Sequence, residues 1–60
     1  MRDPKRIKRI LKAIEIIWIN SPDLRLTQII MNALKSNNDP YYIEDDDLEK
    51  ALNEYMKDMQ

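Results

Sequence analysis

The stretch Ile7-Lys8-Arg9-Ile10-Leu11-Lys12-Ala13-Ile14-Glu15-Ile16-Ile17-Trp18 decides the fold. Ile7, Ile10, Leu11, Ile14, Ile17 and Trp18 recur at the i, i+3, i+4, i+7 spacing of one helical face. At about 100° per residue they make a single stripe, and Lys5, Lys8, Arg9 and Lys12 fall on the other side. Upstream, Asp3-Pro4 offers an N-cap followed by proline at the first helical position, where the missing N–H costs nothing. Downstream, Asn20-Ser21-Pro22-Asp23 closes the helix, because proline disfavours helical geometry in the residue before it. The pattern predicts a first helix over residues 4–19.

Working outward, Leu26, Ile29, Ile30, Ala33 and Leu34 form a second core stripe, predicting a helix over 25–35 capped by Asp23 or Thr27. Ser36-Asn37-Asn38-Asp39-Pro40 is the next break. The chain has no glycine, so Asn37 or Asn38 is expected to take the positive φ that ends such a helix. Tyr41-Tyr42-Ile43 reads as a short extended segment. A third helix is expected over 46–58, with Asp46 and Glu49 as a capping box and Leu48, Ala51, Leu52, Tyr55, Met56 and Met59 as its buried face. Sixty residues make one domain at most, so the expectation is a single all-α unit over 1–60, a compact three-helix bundle.

Charge is sorted along the chain. Residues 1–15 carry six basic and two acidic side chains, a balance of +4. Residues 39–60 carry eight acidic and two basic ones, a balance of −6, inside a net charge of only −1. That dipole bears on association and partners rather than on fold.

Several function classes are disfavoured by what the chain lacks. With no histidine and no cysteine, the usual nucleophile–base pairs cannot be built, and Ser21 and Ser36 sit at helix ends where capping accounts for them. A non-enzymatic protein is expected, without cofactor. The missing cysteines also remove the staple of small secreted domains, pointing to a cytoplasmic setting. The longest apolar run, Ile16-Ile17-Trp18-Ile19, is far short of the roughly 20 residues that span a bilayer. Lys12 and Glu15 interrupt any signal-like segment, and no small-residue cleavage site follows. Glu44-Asp45-Asp46-Asp47 invites a calcium reading, but its carboxylates are consecutive and no glycine makes the turn, so helix capping accounts for it better than a metal site.

Two binding readings remain. Lys5, Arg6, Lys8, Arg9 and Lys12 could neutralise nucleic-acid phosphates without reading bases; the acidic third helix would be repelled from a major groove. The stronger reading rests on apolar residues that miss the core stripes. Ile16 and Ile19 lie among basic residues of the first helix, Leu24 and Met31 fall opposite Ala33, and Tyr41 and Tyr42 occupy a loop. With Arg9 and Lys12 at the rim, these side chains have the composition of an interface centre. The expected function is therefore protein binding, with weak phosphate binding as the alternative. Nine isoleucines and six leucines exceed what three short stripes accommodate, which suggests a twofold homodimer near Ile16 and Ile19, its basic first helix against an acidic third helix.

The segments Met1-Arg2-Asp3-Pro4-Lys5-Arg6-Ile7, Pro22-Asp23-Leu24-Arg25-Leu26 and Asp39-Pro40-Tyr41-Tyr42-Ile43-Glu44-Asp45-Asp46 resemble a group of short uncharacterised proteins of bacteria and of phage or prophage gene clusters. The resemblance implies a stand-alone small protein with no catalytic residues to carry over. A phage origin would favour an inhibitor or regulator of a host protein, host defence included.

Overall fold

A computed structural model of the chain describes residues 3–35 and 39–59, and its prolines each open a turn. Asp3 accepts the Lys5 N–H on its carboxylate at 2.9 Å, and Asp39 accepts the Tyr41 N–H at the same distance. In both Asp-Pro turns the carboxylate takes up a backbone donor that the turn leaves without an intrahelical partner. At Pro22 the turn is closed by the Leu24 N–H donating to the Ser21 carbonyl at 3.1 Å.

The described residues fold as an all-α three-helix bundle: α1 over Lys5–Asn20, α2 over Leu26–Leu34 and α3 over Asp45–Asp58. Each helix lies within a residue or so of its expected bounds. Pro4 already has helical dihedrals (φ −66°, ψ −16°), so Asp3 does the work of the cap as the sequence suggested. The other ends differ from expectation. The N-cap of α2 is Arg25, in extended geometry, rather than Asp23 or Thr27. A guanidinium has no acceptor, and the support runs the other way: the Arg25 N–H donates to Gln28 Oε1 at 2.8 Å. Glu44, not Asp46, precedes α3, and Asp45, Asp46 and Asp47 occupy its first turn near the positive end of the helix dipole. The expected Asp46–Glu49 capping box is therefore not formed.

After α2, the positive φ falls on Lys35 (φ 52°, ψ 30°), whose N–H donates to the Met31 carbonyl. Asn37 and Asn38, expected to play that part, lie outside the described residues, as does Ser36. The Pro40–Tyr42 segment is a single 3₁₀ turn instead of an extended one, with Ile43 and Glu44 extended after it.

Ion pairs fix the relative direction of the helices. Arg6 pairs with Asp45 at 2.7 Å and Arg9 with Glu49 at 2.8 Å. Partner numbers rise together, so α1 and α3 run side by side in the same direction. Trp18 Nε1 donates to the Leu24 carbonyl at 2.8 Å, just ahead of α2, and Lys35, just after α2, pairs with Asp58 at 3.2 Å. Both ends of α2 thus lie near the C-terminal ends of α1 and α3. α3 packs against both other helices equally, while α1 and α2 touch each other less.

The core is Ala13, Ile17, Ile29, Ala33 and Leu52, ringed by half-buried Ile10, Ile14, Leu24, Leu48, Ala51, Tyr55 and Met56. None of the buried side chains among the described residues is polar or charged. Three members of the expected α1 stripe are not interior: Ile7, Leu11 and Trp18 are 51%, 59% and 38% exposed. For Ile7 and Leu11 the reason is length. Nine residues of α2 extend about 13 Å, against about 24 Å for the sixteen of α1, so the N-terminal half of α1 has α3 on one side and nothing from α2 on the other. Leu26 and Met59, also expected inside, are exposed as well. Among the described residues, no helix is long and apolar enough to cross a membrane.

Candidate functional site

The residues proposed from sequence as contacts fall into separate places. Tyr41 and Tyr42, carried by the 3₁₀ turn that Asp39 caps, are the most exposed large hydrophobic side chains among the described residues. Their rings stack edge to face, 5.1 Å apart and inclined at 78°, an arrangement that suits the opposite charge of ring edge and ring face. Met31, on the exposed side of α2, lines a shallow apolar cleft of about 150 Å³ with Thr27, Ile30 and Pro40. Pro40 joins the two features, because it belongs to the same turn as the tyrosines. The loop after α2 therefore brings Met31, Tyr41 and Tyr42 into one neighbourhood, which sequence spacing alone did not reveal.

Ile16 and Ile19 are both exposed, on the outer side of α1 beside Lys12 and Glu15. Lys12 pairs with Glu15 at 2.9 Å. Leu24 is half-buried and packs against the core, so it supports the interior. Arg9, expected at the rim of an interface, donates through Nε and Nη2 to both oxygens of Glu49, at 2.8 and 3.3 Å. Its hydrogen bonds hold the Glu49 carboxyl below its ordinary range, and the same contact raises the Arg9 guanidinium further. Asp3 adds a looser contact to Arg9 at 3.8 Å.

The opposed charges of the two ends of the chain thus meet inside one molecule. Arg6 donates to Asp45 and to the Asp3 carbonyl, and Arg9 is held by Glu49; with Lys12 on Glu15, three of the five candidate phosphate ligands are in contact with carboxylates. Lys5 and Lys8 are the remaining ones. The carboxylate run has an equally local use: Asp45 holds Arg6, and no group of three or more acidic side chains among the described residues is arranged to hold a metal ion.

What the sequence pattern did not disclose is the bare half of α1. Ile7 and Leu11 were legible as apolar and were assigned inward. The signal that they face outward is the shortness of α2, whose nine residues cannot match α1.

No protein-family model, no curated protein and no solved structure matches the chain.

Proposed function

We infer that this chain is a small, non-enzymatic protein-binding module. The observation that carries the reading is the paired exposure of Tyr41 and Tyr42, at 83% and 78%, beside the apolar cleft of Met31 and Pro40. Two tyrosines on a capped turn offer large contact area at low entropic cost, each with a hydroxyl for hydrogen bonding. Chemistry of the catalytic kind has little to work with: the sequence has no histidine or cysteine, and none of the buried side chains among the described residues is polar. The resemblance to phage and prophage proteins adds the narrower proposal of an inhibitor or regulator of a host protein. Nucleic-acid phosphate binding through α1 has less support, since Arg6 and Arg9 are engaged by Asp45 and Glu49 and a phosphate would have to displace those carboxylates.

Affinity capture from bacterial extract tests the reading, using the wild type and a Tyr41→Ser/Tyr42→Ser variant. A discrete protein retained through high salt by the wild type and lost with the variant is the expected result. Retention of nucleic acid alone, released as salt rises and abolished by glutamine at Lys5, Lys8 and Lys12, would replace this reading with phosphate binding.

A further inference from the structure

Ile7, Leu11, Ile14 and Trp18 follow one another at spacings of four, three and four residues, which is the a/d repeat of a coiled-coil seam. Three of the four are exposed, and Ile14 is half-buried at the edge of the core. The geometry points to a second copy of this chain as the occupant of that seam, with the two α1 helices antiparallel about a twofold axis. It shares with the preceding reading only the premise that exposed apolar side chains are contact surface. It uses a face distinct from the tyrosine pair.

Charge complementarity selects the occupant and its direction. In an antiparallel pair Leu11 lies opposite the partner's Ile14, and Ile7 opposite the partner's Trp18. The residues flanking the seam on its solvent side are Lys8 and Glu15, one residue beyond Ile7 and Ile14. Antiparallel coiled coils bring these equivalent flanking positions together, so Lys8 meets the partner's Glu15, and the symmetry repeats the pair. Glu15 already sits within reach of Lys12, and the partner's Lys8 would join that pair from the other side. A parallel arrangement offers no such match, because the opposite flank consists of Ile10 and Ile17, which belong to the core.

That apolar flank has a second consequence. A helix docked on the seam would extend the existing core instead of starting a separate one, which matters because four layers make too short a coiled coil to persist alone. Antiparallel docking also lays the bare N-terminal half of each α1 beside the end of the partner that carries α2.

Sedimentation equilibrium at tens of micromolar, with circular dichroism to monitor folding, tests the proposal on four variants. The wild type should sediment at twice 7.2 kDa. Leu11→Glu should give the monomer with an unchanged helical spectrum, since Leu11 is not part of the core, whereas Ile16→Glu should remain dimeric. Lys8→Glu should weaken association at least about tenfold by placing like charges together twice, and Lys8→Glu with Glu15→Lys should restore it. A monomeric wild type overturns the proposal while leaving heterologous binding by the tyrosines intact. A dimer broken by Ile16→Glu but not by Leu11→Glu overturns the seam, and a charge reversal that fails to rescue overturns the antiparallel register.

Discussion

Along α1, Ala13 and Ile17 are sealed from solvent while Leu11, only two residues before Ala13, is 59% exposed. Both sides of the helix are apolar, and both would pass for core by periodicity. The difference is the neighbour each side receives. The inward side meets α3 along its length, with Arg6 and Arg9 clamping the edge through Asp45 and Glu49. The other side meets α2 only at its C-terminal end, where Trp18 reaches the Leu24 carbonyl. Amphipathicity thus decides that a residue can be buried; the length and placement of the other helices decide whether it is.

The largest expected effect separates those two sides directly. Ile17→Ala should cost about 2–5 kcal/mol, through lost transfer energy and the cavity left behind. A bundle of this size holds only a few kcal/mol in all, so that variant should be largely unfolded in urea titrations at room temperature. Leu11→Ala, examined in solution dilute enough to be monomeric, should cost only about 0.5 kcal/mol, as ordinary surface changes do. Comparable losses at the two positions would erase the contrast between the sides.

A smaller effect sharpens the contrast along the helix. The bare half of α1 has no support from α2, so its cap matters: Asp3→Ala should cost about 1 kcal/mol and raise hydrogen exchange in the first turn before anywhere else. At the far side of α2, Lys35→Gly should stabilise the fold by about 1 kcal/mol, because a side chain at φ 52° carries the left-handed penalty that glycine escapes. The loss of its exposed pair with Asp58 subtracts little from that gain. A destabilised Lys35→Gly variant would contradict the left-handed cap.

The least effect is electrostatic and belongs to the clamped edge. Arg9 lowers the Glu49 carboxyl below its ordinary value of 4.5. A depressed carboxylate contributes stability above its unfolded-state value and loses it as pH falls through its folded-state value. The wild type should therefore lose stability below about pH 4.5 more steeply than Arg9→Gln, while the two behave alike in their slope near neutrality. Identical acid limbs would remove Glu49 from the clamp. Strong salt should blunt the difference, since both groups are near solvent.

Much of this fold was legible in the sequence, for reasons that can be stated residue by residue. Asp3-Pro4 and Pro22 act locally, so the bounds of α1 followed from neighbours in the chain. The buried face of α3, centred on Leu52, followed from one phased stripe. What was not legible depended on long-range contacts or on competition between equally suitable residues. Asp45, Asp46 and Asp47 can each start a helix, and Arg6 draws Asp45 into the first turn. Asparagine has the better intrinsic claim to a positive φ, yet Lys35 takes one directly after α2. Of the candidate site, the exposure of Tyr41 and Tyr42 was readable from their place in a loop. Their proximity to Met31 was not, because it depends on how the turn at Pro40 folds back on α2. Ile7 and Leu11 were recognised as apolar but placed on the wrong side of the balance between core and surface.

The chain's single tryptophan sits on the proposed seam, which supplies the most direct test of the claim that the bare side of α1 is a contact surface. Acrylamide quenching of Trp18 can be followed through a dilution series from high to submicromolar concentration. Quenching should rise, and emission shift to the red, as dilution frees the indole. Leu11→Glu should show the quenched, red-shifted limit at every concentration, and Ile16→Glu should track the wild type. Emission and quenching independent of concentration in the wild type, and equal to those of Leu11→Glu, would contradict the account.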